Sequence, residues 1–374
     1  NGYYAPYWDW ETDYHDTDLT AADRVGNANL SPSTYGQNVV TYVNAMKAVD
    51  PTIKVGAVLE LPGQSPGAGH GTLQDWDSNV LLQCGSKIDF VILHWYPESG
   101  TDNDASLLND TSQVAGFVSG TKALINQYCG ANAPNIQIFV TETNSDSATP
   151  GNQMLSPVQG IFMADNIQSW LEGGAANVEY WDLRNGAGAG FQDNGPLDVG
   201  NYGDEGILSN GSSVNINGTN YSEPAVDTPF VTYYAMQMLH DLGNPGDTML
   251  NSSSNNLVIG THAVKHADGS VGVLLLNRDP LDTITTTVNV ANLNPTGNAT
   301  VYTYGPSSTG GISTSSTTAA SNITVTVPPY TLTTVNIPSL QAVPTPVISP
   351  PAGPYRPGLN VTISDSMGGT TILY

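Results

Sequence analysis

The run Ile136-Gln-Ile-Phe-Val140 leads into Thr141-Glu142-Thr143-Asn144, so a carboxylate stands at the mouth of what reads as a buried parallel strand. Barrels of alternating strands and helices keep their chemistry at such strand ends. Two more strand ends carry reactive side chains: Ile88-Asp-Phe-Val-Ile-Leu-His94-Trp95-Tyr96-Pro97 upstream, and Val178-Glu-Tyr-Trp181-Asp182 downstream. A glutamate, a histidine and tryptophans at successive strand ends suit cleavage of a glycosidic bond. That reaction passes through an oxocarbenium-like transition state flanked by two carboxylates, one acting as nucleophile or base and the other as acid. Glu142 is the expected nucleophile. The competing reading is an ordinary salt-bridged acid, with Arg184 the one basic residue on a neighbouring strand end.

Around it, His94 or Tyr96 can hydrogen-bond the nucleophile and hold its ionisation state. Trp95 offers a flat face to a sugar ring, and Asn144 a small polar contact beside Glu142; all three aromatic-strand residues have core packing as the alternative. Trp181 reads either as a shelf under the scissile sugar or as packing at the barrel top. Glu60 follows the strand-like run 53–59 and either contacts substrate or belongs to the turn made by Leu61-Pro62. The acidic and aromatic opening, Tyr3 to Asp16 with Trp8 and Glu11, reads as a substrate-facing loop, with Ca²⁺ binding through clustered carboxylates as the lesser alternative. His262 and His266 fall on a strand and its hairpin and read as structural. Paired CxxC motifs and a phosphate-binding loop are missing from the sequence, and no metal or redox cofactor is implied.

The elements that must position these residues alternate. Helices over 31–49, 72–84, 111–128, 157–173 and 227–242 are interleaved with strands over 53–59, 88–94, 136–142 and 177–182. Such alternation predicts right-handed βαβ units and a parallel sheet. Four such units are half of an eight-fold barrel, which leaves two parallel edges to be paired by upstream strands or by another copy of the chain. After Gly243 the helical periodicity stops. Alternating Thr/Val/Ser-rich runs over 257–265, 271–277, 283–290, 298–304, 322–327 and 331–337 predict an antiparallel β-sandwich. The expected organisation is therefore α/β plus all-β: a partial (β/α)8 barrel over 1–243, a sandwich over 244–338, a proline-rich linker over 339–351, and the start of a further β module over 352–374. Both ends of the chain read as cut.

The 374 residues include 33 acidic and 9 basic ones, for a net charge of −24. Such a surface repels phosphate and has no Lys/Arg cluster to release counterions, which excludes nucleic acid as a partner. No run approaches the ~20 apolar residues of a membrane-spanning helix. Few lysines with abundant Thr, Asn and Tyr suit a secreted protein. Cys84 and Cys129 each end a helix before Gly, so both should lie at the bottom of adjacent turns. A disulfide there fits an oxidising compartment, with two buried thiols as the alternative.

Met46-Lys-Ala-Val-Asp-Pro-Thr-Ile-Lys-Val-Gly56, the His-Trp-Tyr-Pro of 94–97 and the Thr-Glu-Thr-Asn of 141–144 resemble retaining glycoside hydrolases of clan A. The resemblance is to secreted bacterial proteins of the α-L-arabinofuranosidase type and covers about residues 1 to 338. Residues 346–374 are similar to the opening of a β module of chitobiase-like enzymes. The resemblance implies that Glu142 is the nucleophile and that His94 and Tyr96 surround it. It also implies an acid/base glutamate in a Gly-Asn-Glu motif, which is absent here and is expected upstream of Asn1. The function expected is hydrolysis of a plant or microbial polysaccharide or oligosaccharide. The alternative is a non-catalytic carbohydrate-binding or extracellular assembly protein built on the same scaffold.

Overall fold

The computed structural model describes residues 32–62, 73–97, 103–147, 150–190, 195, 197, 200–308, 311–340, 346–351, 353–354 and 358–364. Trp8, Glu11 and the rest of the opening segment lie outside these residues. The described chain starts with α1 (Pro32–Val49), whose proline stands at the first helical position, where its missing N–H costs nothing. There follow β1 (Gly56–Val58), α2 (Leu73–Cys84), β2 (Phe90–Trp95), α3 (Asp104–Asp110), α4 (Val114–Tyr128), β3 (Gln137–Thr143), α5 (Pro157–Gly173) and β4 (Asn177–Tyr180). The four strands pair in parallel in the order β1-β2-β3-β4, with helices in each crossover. This parallel α/β arrangement agrees with the alternation read in the sequence. The predicted helix over 111–128 is helical throughout, opening as a 3-10 turn at Thr111–Gln113 that joins it to α3, which the sequence reading lacked.

On β2 and β3 the side chains alternate. Val91, Leu93, Trp95, Ile138 and Val140 are buried in the core shared with the helices, while Phe90 and Phe139 stack on the opposite face at 4.3 Å between ring centroids. Period-two alternation is the ordinary geometry of a strand. Breaks in it decide where the site residues point.

The Gly/Asn-rich stretch over 185–224 contains a hairpin, β5 (Ser213–Ile216) with β6 (Thr219–Ser222). Its two-residue turn is Asn217-Gly218, both at positive φ (51° and 86°), the pairing that a tight type I′ turn demands. The Asn-Gly signal was in the sequence. Helix α6 (Val231–Leu242) then leads into the antiparallel part.

That part comprises β7 (Thr248–Leu250), β8 (Ile259–Lys265), β9 (Val271–Asn277), β10 (Ile284–Asn289), β11 (Asn298–Tyr304), β12 (Ser313–Thr318), β13 (Asn322–Val327) and β14 (Thr331–Ile337). Six strands form one sheet in the order β12-β11-β14-β9-β8-β7, faced by the two-stranded sheet β10-β13. The sequence reading lacked β7, which is only three residues long, and β12, a Ser/Thr run exposed throughout and so without alternating polarity. All seven residues of β9 are buried, because both of its faces are covered. Val271, Val273 and Leu275 face the sandwich interior, whereas Leu274 and Leu276 join the core of the helices. Gly272 lets α6 approach, since a Cβ there would lie 2.3 Å from the Leu242 carbonyl oxygen. The change of secondary structure after Gly243 therefore falls inside a continuous hydrophobic core. A cavity of 840 Å³ opens between β8, β9 and β10, and no ionisable side chain lines it. Beyond the sandwich, β15 (Val347–Ser349) pairs with β16 (Thr362–Ser364).

Cys84 and Cys129 are both buried and free, which corrects the expected disulfide. They are neighbours at the ends of α2 and α4, as the sequence predicted. Burial pushes the thiols up to about 12 and about 11, and thus away from the thiolate that oxidation requires. No helix among the described residues is long and apolar enough to cross a membrane.

Candidate active site

The bulge in β3 builds the site. Leu93 pairs with Val140, but the next residue of β2, His94, pairs with Glu142, so Thr141 is an extra residue on β3. The register between β3 and β4 shifts over the same stretch, between Val140 and Thr143. If Thr141 took an ordinary place in the ladder, alternation would send Glu142 to the helix side of the sheet, with Val140. With the bulge, Thr141 and Glu142 both lie between the buried Val140 and Thr143 and remain partly open. Bulges re-aim side chains in this way next to active sites.

His94 and Tyr96 share a face with this carboxylate. The Tyr96 hydroxyl donates to Glu142 Oε2 at 3.1 Å, and His94 Nδ1 lies 3.5 Å from the same oxygen. The other ring nitrogen, Nε2, sits 2.8 Å from Thr141 Oγ1. Burial holds the His94 imidazole below its ordinary range, with the Glu142 charge opposing. The pair at neutral pH is thus a neutral imidazole beside Glu142. Among the described residues no hydrogen bond reaches Glu142 Oε1, which leaves that oxygen for an electrophile.

Trp95 does not join them. One residue out of phase with His94 and Tyr96, it is 1% exposed and packs against Phe117, Phe162 and Trp170 at ring separations of 5.9 to 6.1 Å. The period-two rule, applied to 94–96, already separates its face from theirs. Asn144 is also turned away from this face. It is 0% exposed, and its Oδ1 accepts from Gln159 Nε2 at 2.7 Å, Tyr180 OH at 2.9 Å and the Ser145 N–H at 2.7 Å. Its Nδ2 donates to the carbonyls of Glu205, at 3.2 Å, and Trp181. The amide's donors and acceptor are committed to the fold. Glu60 is buried at 1% exposure, and its backbone N–H donates to Asp77 Oδ1 at 2.8 Å. Burial pushes the Asp77 carboxyl up to about 8, with the Glu60 N–H bond opposing and the Glu60 charge adding a smaller rise.

Trp181 follows β4 and is 42% exposed, the most open aromatic at these strand ends. The peptide bond to Asp182 is cis. The Trp181 N–H donates to Thr143 O at 3.0 Å, which ties it to the end of the strand carrying Glu142. Its indole Nε1 donates to Glu205 Oε2 at 3.0 Å, and Asn185 Nδ2 donates to the same oxygen at 2.5 Å. Burial pushes Glu205 up to about 7, with the Trp181 bond opposing and Asp182, Asp146 and Asp204 adding to the rise. Glu205 and Asn185 escaped the sequence reading because they lie in a Gly/Asn-rich stretch without periodicity. The available signal was an acid pair, Asp204-Glu205, in a chain with almost no cations to pair it. Asp204 is likewise pushed up to about 7 by burial and by Glu223, which is itself held low by the hydroxyls of Ser212 and Ser209. The loop is therefore tied by the serine hydroxyls on Glu223 and by the Gly206 N–H, which donates to Asp204 Oδ1 at 2.6 Å. No group of three or more His, Cys, Asp or Glu among the described residues can hold a metal ion.

No protein family and no curated protein matches the chain in sequence. Solved structures do match in fold. An α-L-arabinofuranosidase from Thermotoga maritima, in complex with arabinose, superimposes with a TM-score of 0.58 at 17% identity, covering 82% of this chain and 62% of that one. A thermostable GH51 α-L-arabinofuranosidase from Thermotoga petrophila RKU-1 gives 0.60 at 16% identity, covering 83% and 63%. A family 44 endoglucanase from Clostridium acetobutylium ATCC 824 gives 0.58 at 14% identity, covering 82% and 61%. The chain thus shares its fold with these structures and spans about three fifths of their length.

Proposed function

We propose that the chain belongs to a secreted retaining glycoside hydrolase that acts on plant or microbial polysaccharide and is of the α-L-arabinofuranosidase type. The observation carrying this reading is the β3 bulge, which turns Glu142 onto the face of His94 and Tyr96 and sets the Tyr96 hydroxyl on one of its oxygens. In this reading Glu142 Oε1 attacks the anomeric carbon, and the bond to the leaving oxygen breaks as a second carboxyl protonates it. Water then attacks the glycosyl ester, releasing the sugar and restoring the carboxylate. Trp181 supplies a flat ring beneath the sugar. The second carboxyl is assigned to a glutamate upstream of Asn1.

A leaving group that departs without a proton tests the nucleophile alone. With 2,4-dinitrophenyl α-L-arabinofuranoside, the protein should release dinitrophenol, and the peptide containing Glu142 should gain the mass of one pentosyl group. Glu142→Gln should abolish both signals. A protein that binds arabinoxylan yet releases no dinitrophenol would overturn the hydrolase reading in favour of a non-catalytic carbohydrate-binding protein.

A further inference from the structure

The six-stranded sheet is wider than the helix that covers its barrel-side face. Helix α6 crosses β14, where Thr334 Oγ1 donates to the Met238 carbonyl at 3.4 Å and Asn336 Nδ2 to the Asp241 carbonyl at 2.7 Å. Beyond β14 the sheet continues through β11 to β12, an edge strand exposed at every residue. On β11, Ala299 and Val301 turn into the sandwich interior, while Tyr302 and Tyr304 turn toward α6. Tyr304 is covered, stacking on Tyr234 at 4.7 Å between centroids, whereas Tyr302 stands nearer the overhang.

The angle between helix and overhang is a groove of 440 Å³, a size common for small-molecule sites. Tyr233, Tyr234 and Gln237 of α6 form one wall, Tyr302 and Thr314 of the sheet form the other, and Asp241 stands at its end. None of these belongs to the Glu142 cluster. The groove also continues. Cross-strand partners share a face, and the register pairs Tyr302 with Thr314, Thr300 with Ser316 and Asn298 with Thr318. Hydroxyls and an amide therefore run on from the tyrosines for two further rungs, about 14 Å of strand.

We propose that this groove and its hydroxyl track are a second binding site for a neutral oligosaccharide chain, separate from Glu142. Tyrosine rings offer apolar faces to the C–H faces of sugars, and the Ser, Thr, Asn and Gln side chains match sugar hydroxyls. No lysine or arginine lines the groove, its ionisable residues besides the tyrosines are His240 and Asp241, and the net charge of −24 disfavours anionic ligands. The choice of sugar as ligand rests on the carbohydrate reading above, but the site does not use the nucleophile.

The test is native affinity electrophoresis in gels containing arabinan, arabinoxylan, xyloglucan or mixed-linkage β-glucan, run on Glu142→Gln so that no polymer is consumed. At least one polymer should retard this protein. Tyr302→Ala, or Thr314→Arg at the exposed edge strand, added to it should weaken the retardation about tenfold, near the upper end for loss of one aromatic contact. In the parent background the same two substitutions should leave release from the dinitrophenyl glycoside unchanged. Equal retardation with and without the two substitutions overturns the proposal. So does the lack of retardation by every polymer, in which case dinitrophenol release still decides the Glu142 reading independently. A dimer in sedimentation that Thr314→Arg dissolves also overturns it, since the groove would then be a contact between copies.

Discussion

His94 and Glu142 are register partners across β2 and β3 only because Thr141 is an extra residue, and the same histidine reaches both residues of the bulge through its two ring nitrogens. The bulge is thus clamped from the neighbouring strand, and the carboxylate inherits its direction from that clamp. Deleting Thr141 should remove the bulge, and alternation then leaves Glu142, next after the inward-facing Val140, on the face of His94. The expected result is a folded protein that still gives the pentosyl mass at Glu142, checked by circular dichroism and labelling together. A folded protein that is no longer labelled would show that the bulge sets more than the face of the nucleophile.

Tyr96→Phe removes a single hydrogen bond to a charged group and little volume. Such bonds contribute about 1.5–3 kcal/mol, so turnover should fall by roughly 10- to 100-fold with little change in thermal stability. Measuring kcat and the melting temperature on one preparation separates a role at the carboxylate from a packing role.

Asn144→Ala should act on stability first. It takes the Asn144 acceptor from Gln159 Nε2, the Tyr180 hydroxyl and the Ser145 N–H, and the Asn144 donor from the Trp181 carbonyl, at a cost of about 1–3 kcal/mol for each group that finds no replacement. Urea denaturation should show a clearly lower midpoint. Trp181→Ala, at a half-open position, should leave the midpoint nearly unchanged and raise KM. The reverse pattern would make Asn144 the substrate contact and Trp181 the structural one.

A buried network joins the helical part to the sandwich and should give stability a basic limit. His262 on β8 is held at 2.9 Å from both Asp165 Oδ1 and Glu172 Oε1 of α5, and Arg278 reaches the other oxygen of Asp165. Burial pulls the imidazole down, but the two acids outweigh it and raise it to about 9. Asp165 is pushed up by burial and held low overall by His262 and Arg278. A raised histidine contributes in full below its ordinary value near 6.5 and loses the contribution as pH climbs through about 9. The contribution is on the order of 3 kcal/mol for a shift of this size. The melting temperature should therefore fall between pH 7 and pH 10, and His262→Gln should be less stable at pH 7 and lose less over that interval. Parallel pH curves for the two proteins would remove His262 as the cause.

The thiols give a chemical check on the fold. Cys84 and Cys129 should resist a disulfide reagent in the native protein and react as two equivalents on unfolding, with no mass change on reduction. A mass two units heavier after reduction would restore the bridge.

Much of the scaffold was legible because it depends on local pattern. Pro157–Gly173 and the strands Val271–Asn277, Asn298–Tyr304, Asn322–Val327 and Thr331–Ile337 were readable to the residue, since helical or alternating polarity and turn residues bound them. What escaped lacked pattern: β7 is too short for a period, β12 is polar on both faces, and Glu205 lies in an aperiodic loop.

The sequence by itself determined that Glu142 stands at the end of a buried strand beside a strand ending in His94 and Tyr96, because hydrophobic runs and their breaks are local properties. The tertiary structure decided which side chains at those ends face the same space. Trp95 went to the core by alternation, Asn144 was drawn inward because Gln159 and Tyr180 from two other elements satisfy its amide, and Glu142 was kept outward by one extra residue. Those outcomes depend on the register between strands and on partners distant in the chain, which no local pattern encodes.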